Sequence, residues 1–252
     1  MNKIALITGA TSGIGRATAR KLAQQNYDVI ITGRRKELLE DLKKEIETQP
    51  SGRIYILNFD VRDKEAVNQA IDSLPEDWQD IEVLVNNAGL AVGLNPIHEG
   101  EIDDWERMID TNIKGLLYMT RKISPRMIEK KKGHIINIGS TAGREVYENG
   151  NVYCSTKHAV VALSQAMRID MLNHQVKVTA INPGMVETEF SVVRFKGDEQ
   201  KAGKVYQGFT PLYGEDVADA IYYVLSRPAH VCINDMILTA TAQANSYYKV
   251  TE

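Results

Sequence analysis

Seven short apolar runs recur along the chain, separated by longer segments of mixed polarity. Several of these runs are apolar at consecutive positions, so both of their faces would be buried, as in parallel strands that are covered by helices. We predict strands at Ile4–Ile7, Val29–Ile31, Ile54–Leu57, Val83–Val85, Ile135–Ile138, Val176–Ile181 and Val231–Leu238.

Between these runs, apolar residues recur with the period of an α-helix. Alternation of strands and helices over this length predicts right-handed crossovers and a doubly wound parallel α/β sheet, the Rossmann architecture. Ligands of such sheets bind beyond the carboxyl ends of the strands, so the loops after the runs are where chemistry is expected. The predicted core-facing sets are Ala19, Leu22 and Ala23; Leu39, Leu42 and Ile46; Trp105, Met108, Ile109 and Leu116; and Val217, Ala220, Ile221 and Val224.

Size and composition are those of one α/β domain spanning 1–252. The chain has 252 residues, a hydrophobic fraction of 43% and a formal net charge of -3, and no linker or repeat divides it. The lack of a basic excess disfavours nucleic-acid binding, and no apolar run is long enough to cross a membrane. Cys154 and Cys232 lack metal-ligand spacing, and no signal-peptide pattern is present. We therefore expect a cytoplasmic protein without a metal site.

A glycine-rich loop, Thr8–Gly15, joins the first predicted strand to the first helix. Glycines there let the backbone turn tightly and approach a pyrophosphate, whose charge is met by the helix N-terminus. The spacing of Gly9, Gly13 and Gly15 is GxxxGxG, which differs from the GxGxxG dinucleotide fingerprint. A purely structural turn is the alternative, but the position at the first strand–helix junction favours nucleotide binding.

The second predicted strand ends in Gly33-Arg34-Arg35, where an NAD enzyme would carry a carboxylate for the ribose hydroxyls. Guanidinium groups suit a 2′-phosphate, to which they donate charge-assisted hydrogen bonds. The alternative is a solvated basic helix start, but the helix dipole disfavours cations at that position. The sequence therefore predicts NADP as the cofactor, bound by Arg34 and Arg35.

Together with further motifs, these features resemble the short-chain dehydrogenase/reductase family over almost the whole chain. The resemblance implies an oxidoreductase acting on CH–OH groups, which is usually a homotetramer. It implies a catalytic tetrad of Asn112, Ser140, Tyr153 and Lys157. The implied cofactor contacts are Thr11, Ser12 and Ile14 beside Gly9, Gly13 and Gly15; Asp60 and Val61; Asn87, Ala88 and Gly89; Tyr153 and Lys157; and Pro183, Gly184, Val186 and Thr188.

A tyrosine followed four residues later by a lysine occurs twice in the motif region, as Tyr118 with Lys122 and as Tyr153 with Lys157. Side chains four residues apart leave one helical face, so either pair could act on one ligand. Only the second pair follows a predicted strand and a serine-bearing loop, that of Ser140. This context selects Tyr153.

In the implied mechanism, Tyr153 takes the alcohol proton as hydride leaves, or donates it in reduction. A free tyrosine titrates near ~10, and we expect the Lys157 ammonium and the oxidised nicotinamide to lower this pKa. Ser140 would orient the substrate oxygen, and Lys157 would hold the nicotinamide ribose. Asn112 is either a satisfied core asparagine or, as the resemblance implies, a kink-forming residue that holds water in a proton relay to Lys157; we favour the relay.

The segment 187–209 is predicted to be a helical lid over the substrate. Three stretches resemble the NADP-dependent 3-hydroxy acid dehydrogenases, which oxidise serine, allo-threonine and similar small acids. They are Arg194–Asp198 within this segment, and Gly139–Gly143 and Arg227–His230 outside it. Val146 departs from that pattern, which carries proline there. A carboxylate substrate needs a cation, and the candidates are Arg144, Arg194 and Lys196, any of which could instead be a solvated loop charge. With Ser140 and Tyr153, Arg144 and Arg194 complete the predicted substrate site.

Three other functions are compatible with the same motifs. A 3-oxoacyl-carrier-protein reductase would dock an acidic partner, for which the basic residues between Arg121 and Lys132 could form a patch. A general carbonyl reductase would need no carboxylate site. A non-catalytic NADP-sensing regulator is disfavoured because the tetrad is intact.

Overall fold

The computed structural model describes residues 2–48 and 52–251. Within these ranges the chain forms a seven-stranded sheet of order β3-β2-β1-β4-β5-β6-β7, and every strand pairing is parallel. This confirms the predicted doubly wound parallel sheet. The order reverses between β1 and β4, which makes their carboxyl ends the switch point. The strands are β1 Ile4–Ile7, β2 Asp28–Gly33, β3 Ile54–Asn58, β4 Ile81–Asn86, β5 Gly133–Ile138, β6 Val176–Pro183 and β7 Asp235–Leu238.

Helices cover both faces of the sheet because consecutive strand residues point in opposite directions and both sets are apolar. Ile7 and Ile31 belong to one core layer, and Leu6 and Ile30 belong to the other. The helices are α1 Gly13–Gln24, α2 Lys36–Glu47, α3 Lys64–Asp72, α4 Ile102–Ile109, α5 Leu116–Lys130, α6 Asn151–Met171, α7 Phe190–Arg194, α8 Glu199–Lys204 and α9 Gly214–Leu225. None of these is long and apolar enough to cross a membrane.

The last strand is shorter than predicted, since β7 begins at Asp235 and not at Val231. Two backbone carbonyls before it, those of Val231 and Ile233, bond to side chains of β6. Lys177 Nζ donates to the Val231 carbonyl at 2.6 Å, and Thr179 Oγ1 donates to the Ile233 carbonyl at 2.6 Å. The apolar run therefore begins four residues before the strand does.

The predicted core face around Trp105 is also interrupted. A π-helical turn, Asp110–Gly115, joins α4 to α5 and brings Thr111 and Asn112 into the interior. Ile109, predicted to face the core, is 37% exposed. A wider turn rotates the buried face of a helix relative to the ideal period, so a pattern extrapolated at 3.6 residues per turn fails here.

Candidate active site

A cleft with a volume of ≈ 350 Å³ opens at the carboxyl ends of the central strands. Loops that follow β1, β2, β3, β4, β5 and β6 all contribute to it, as expected around the switch point of such a sheet. Of the predicted site residues, Gly15, Asn112, Arg144 and Arg194 do not line the cleft. Its lining contains Gly9, Thr11, Ser12, Gly13, Ile14, Arg34, Arg35, Asp60, Val61, Asn87, Ala88, Gly89, Ser140, Tyr153, Lys157, Pro183, Gly184, Val186 and Thr188.

The floor of the cleft at the start of α1 is made of backbone that tolerates no side chain. Gly9 has a φ of +66°, and a Cβ there would lie 2.9 Å from Ala88 Cα. A Cβ at Gly15 would collide with the Gly9 carbonyl oxygen and with Asn87 Nδ2. Asn87 Nδ2 also donates to the carbonyls of Thr8, at 2.9 Å, and Gly9, at 3.1 Å. The result is a bare backbone surface beside a helix N-terminus, which fits the pyrophosphate of a dinucleotide.

Two arginines lie at the end of the cleft formed by β2. Arg35 Nη2 donates to Thr11 Oγ1 at 3.0 Å and to Ser12 Oγ at 3.2 Å, and it pairs with Glu189 at 2.8 Å. Arg34 is more loosely held, since its Nη1 lies 3.9 Å from Asp60 Oδ2 and its side chain is 59% exposed. Cations at this position and the bare backbone beside them together fit a phosphorylated adenosine ribose.

The Asp60 carboxylate binds mainly to Arg62 and only loosely to Arg34. Burial disfavours its charged form, but hydrogen bonds from the Arg62 side chain and backbone lower the pKa of Asp60 overall. Arg62 Nη2 donates to Asp60 Oδ2 at 2.7 Å. Arg34 is therefore available to a second anion.

Tyr153 and Lys157 lie one turn apart on α6, and both are almost completely buried, with 8% and 7% of their surfaces exposed. Lys157 Nζ donates to the Ile138 carbonyl at the end of β5 at 2.8 Å. Burial lowers the pKa of Lys157 to about 8. Ser140 immediately precedes the short helical turn Thr141–Gly143 that follows β5, and its Oγ accepts a hydrogen bond from Ala142 N at 3.1 Å. The three residues thus converge on the inner end of the cleft.

The protein groups around Tyr153 do not lower its pKa as predicted; they raise it. Desolvation by burial is the largest cause, followed by the neighbouring Tyr147, while a hydrogen bond from Ser140 and the charge of Arg194 act in the opposite direction. The Lys157 amine, 5.9 Å from the Tyr153 ring centroid, is directed to the Ile138 carbonyl. The phenol is therefore held in its protonated form, which is the form that donates a proton.

Asn112 lies in the π-helical turn, and its side-chain amide is satisfied within the protein. Oδ1 accepts from Leu90 N at 2.9 Å, and Nδ2 donates to the Leu90 carbonyl at 2.9 Å and to Thr156 Oγ1 at 3.0 Å. The distorted helix agrees with a kink-forming residue, and the satisfied amide agrees with a core asparagine. The water relay to Lys157 stays a prediction.

The three candidate cations for a substrate carboxylate have different partners. Arg144 forms an ion pair with Asp235, and Lys196 Nζ pairs with Asp104 at 2.7 Å. Arg194, at the end of α7, has no carboxylate partner in the described ranges, and its guanidinium carbon lies 5.3 Å from the Tyr153 ring centroid. Only Arg194 combines proximity to Tyr153 with an uncompensated charge.

The other tyrosine–lysine pair, Tyr118 and Lys122, does not line the cleft. Lys122 pairs with Asp72 at 2.7 Å, and Tyr118 packs on the core layer under α5. Half of the cations of the predicted docking patch lie beside carboxylates: besides Lys122, Lys130 pairs with Asp80 at 2.5 Å and Lys132 pairs with Glu82 at 2.8 Å. These pairs reduce the positive charge that this face offers to an acidic partner.

No pattern in the sequence indicated that the C-terminal segment supports the cleft. Gln243 is buried, and its Oε1 accepts from Met185 N at 2.8 Å, next to the Pro183-Gly184 loop. Lys249 Nζ donates to the Val205 carbonyl in the segment 187–209 at 2.6 Å. Short polar stretches have no periodicity from which such contacts could be inferred.

Comparisons with known proteins agree with this geometry. The sequence model of the short chain dehydrogenase family matches residues 3–199. The chain is 49% identical over 242 residues to the NADP-dependent 3-hydroxy acid dehydrogenase YdfG of Escherichia coli strain K12, covering 96% of both chains. It is 43% identical over 250 residues to the NADP-dependent 3-hydroxy acid dehydrogenase of Schizosaccharomyces pombe, covering 98% of this chain and 96% of the relative.

Two solved structures of dehydrogenases and reductases also resemble this chain over most of its length. The closed form of serine dehydrogenase complexed with NADP+ superposes with a TM-score of 0.93 at 48% identity, covering 99% of both chains. A 3-ketoacyl-(acyl-carrier-protein) reductase from Brucella melitensis complexed with NADH superposes with a TM-score of 0.82 at 26% identity, covering 94% of this chain and 96% of that one. The chain described here belongs to the short chain dehydrogenase family.

Proposed function

We propose that this protein is an NADP-dependent dehydrogenase of small 3-hydroxy acids such as serine and allo-threonine. The observation that carries the substrate class is Arg194, a cation without a carboxylate partner in the described ranges that lies against Tyr153. The relatives named above as 3-hydroxy acid and serine dehydrogenases support the same substrate class. A general carbonyl reductase would have no use for a cation at this place.

Different residues of the cleft would bind different parts of NADP. The backbone at Gly9 to Gly15 and the N-terminus of α1 would hold the pyrophosphate, and Arg34 and Arg35 would bind the 2′-phosphate. Asp60 and Val61 would flank the adenine. The remaining cofactor contacts are proposed at Asn87, Ala88, Gly89, Pro183, Gly184, Val186 and Thr188, which line the rest of the cleft.

Chemistry would take place at the inner end of the cleft. Bound NADP supplies the hydride acceptor or donor. Ser140 and Tyr153 hydrogen-bond the substrate oxygen and fix its orientation, and the protonated Tyr153 donates the proton in the reducing direction. In the oxidising direction the ionised form of Tyr153 would accept the proton of the substrate hydroxyl. Lys157 holds the ribose on the nicotinamide side through its amine, and Asn112 fixes Thr156 next to it.

We further propose that the segment 187–209, which contains α7 and α8, acts as the substrate lid of a single domain. Cys154 and Cys232 are free thiols, which supports a reducing, cytoplasmic location. Ile169 and Leu172 at the end of α6 are largely exposed, which supports a homo-oligomer, a tetramer by analogy with the family.

Replacing Tyr153 by Phe should lower kcat by ~10²–10⁴-fold, because the general acid and base is lost while the ring remains. The matched control is Tyr118→Phe, which removes the same hydroxyl from the other tyrosine–lysine pair and should leave kcat unchanged. Steady-state kinetics, with thermal unfolding and NADPH affinity as checks on folding, measure both. A larger loss in Tyr118→Phe would refute the assignment.

Replacing Arg34 or Arg35 by Ala should each lower kcat/KM for NADP by about tenfold to a hundredfold, since a hydrogen bond to a charged group is lost. The value for NAD, which lacks the 2′-phosphate, should change little. Lys36→Ala is the control. Lys36 follows Arg35 in sequence and carries the same charge, but its Nζ pairs with Glu40 Oε1 at 3.7 Å. Equal use of NAD and NADP by the wild type would contradict the proposed cofactor site.

The substrate class is tested by comparing serine or 3-hydroxybutyrate with the corresponding methyl esters. The acids should be preferred by the wild type, and this preference should collapse in Arg194→Ala because the candidate arginine that lies against Tyr153 is lost. Arg144→Ala is the control. Because Arg144 is paired with Asp235, this variant should keep the preference for acids over esters. Equal kcat/KM for acids and esters in the wild type would favour a general carbonyl reductase.

A further inference from the structure

Aromatic rings, and not carboxylates, surround the guanidinium of Arg194. Its central carbon lies 5.2 Å from the ring centroid of Tyr147, 5.3 Å from that of Tyr153 and 5.9 Å from that of Phe190. Its Nε is buried and has no hydrogen-bond partner in the described part of the chain. Ring faces attract a cation but leave its N–H groups unsatisfied, so the group is prepared for an anion.

Tyr147 is the one of these rings that also bonds to the guanidinium. Arg194 Nη2 donates to the Tyr147 hydroxyl oxygen. Burial is the main cause that raises the pKa of Tyr147, and it outweighs the opposing effect of Arg194. The phenol is therefore neutral. Because its oxygen accepts from Arg194, its proton is directed to another acceptor; within the protein that neighbour is the Cys154 sulfur, a weak acceptor that a carboxylate beside the guanidinium can replace.

The position of Tyr147 is fixed relative to the reacting tyrosine. The Tyr147 carbonyl accepts from Gly150 N at 3.1 Å, immediately before α6 begins. A Cβ at Gly150 would collide with the Tyr147 ring, so the ring packs directly on this backbone. Tyr153 lies in the first turn of the same helix. The distance between the two phenols is thus set by one rigid element.

Arg194 approaches from a different part of the chain. Its carbonyl accepts from Gly93 N at 3.1 Å, and Lys196, two residues later, pairs with Asp104 on α4 at 2.7 Å. These contacts hold the end of α7 over the loop that follows β4. The guanidinium from the 187–209 segment is thus brought to the phenol of Tyr147 on the α6 side.

The space beyond this pair is small. A pocket of ≈ 20 Å³ lies between Arg194, Tyr153, Leu94 and Trp105. That volume holds about one water molecule, so a substrate bound to Arg194 cannot extend far in this direction. The geometry favours a compact acid over one with a long chain beyond the carboxylate.

We propose that Tyr147 is a specificity-determining residue whose hydroxyl, together with the Arg194 guanidinium, binds the carboxylate of the substrate. The proposal rests on the proposed 3-hydroxy acid specificity and adds a second, neutral donor to it. Two donors from two elements define one orientation of a carboxylate, which one flexible arginine cannot do. The acid is thereby positioned relative to Tyr153.

The test uses Tyr147→Phe, which keeps the ring, its packing on Gly150 and its stacking on Arg194, but removes the hydroxyl. The control is Tyr223→Phe, an exposed tyrosine on α9. For 3-hydroxybutyrate, kcat/KM should fall about tenfold to a hundredfold in Tyr147→Phe, mainly through KM, while the loss for the methyl ester should be at least tenfold smaller. Tyr223→Phe should match the wild type.

A binding measurement without turnover complements the kinetics. Calorimetric titration of the NADP-loaded protein with butyrate, which has the carboxylate but no hydroxyl, should show weaker binding in Tyr147→Phe by a similar factor. The thermal unfolding midpoint of the variant should equal that of Tyr223→Phe, which shows that the loss is not due to misfolding.

The outcomes separate this proposal from the one on which it rests. Equal losses on acid and ester, or unchanged butyrate binding, would overturn the role of Tyr147. An acid preference that depends on Arg194 but survives in Tyr147→Phe would overturn it too, and would leave the proposed function intact. Absence of any acid preference in the wild type would instead refute the proposed function itself.

Discussion

The buried amine of Lys157 is the constraint on which the arrangement of the active site depends. An amine removed from water is costly unless it is hydrogen-bonded, and here the carbonyl of Ile138 at the end of β5 provides the bond. This contact fixes α6 against β5. Thr156, the preceding residue, is held in turn by Asn112 in the π-helical turn. The position of Tyr153 on α6 is thus determined by hydrogen bonds to two other elements, β5 and the π-helical turn.

Part of the positive charge at the cleft is not neutralised by a nearby carboxylate and is therefore available to ligands. Most basic side chains outside it lie beside carboxylates, as Lys122 does with Asp72 and Lys130 with Asp80. Arg34 in the cleft lining and Arg194, which lies outside that lining but beside Tyr153, lack a close carboxylate of their own in the described ranges. Two anions would complete the site, and the proposed NADP and small acid would provide them.

Local pattern was sufficient for most of the fold, whereas the set of Ser140, Tyr153 and Lys157 came from the family resemblance. Runs such as Ile4–Ile7 are apolar on both faces because both faces are covered, and loops after parallel strands must meet at one edge. The start of β7 could not be predicted, because it depends on side chains of β6 that capture the Val231 and Ile233 carbonyls. The exposure of Ile109 depends on the π-helical turn, which no periodicity reveals.

Charge and burial around the site are also long-range properties. The choice between Arg144 and Arg194 depends on Asp235, which is 91 residues from Arg144 in sequence. The raised pKa of Tyr153 depends on its burial, to which Phe190 contributes, with its ring centroid 5.6 Å from that of Tyr153. Residue identity suggests which groups can react, whereas their protonation follows from what the folded chain places around them.

The most direct test of this account is the titration of Lys157, followed by NMR in protein labelled with ¹³C at the lysine Cε atoms. The account predicts one lysine resonance with a midpoint of about 8, because burial disfavours the charged amine. That resonance should disappear in Lys157→Arg and persist in Lys122→Arg, which removes a lysine paired with Asp72 at the surface. A Lys157 resonance that titrates near the ordinary value of 10.5 would contradict the account.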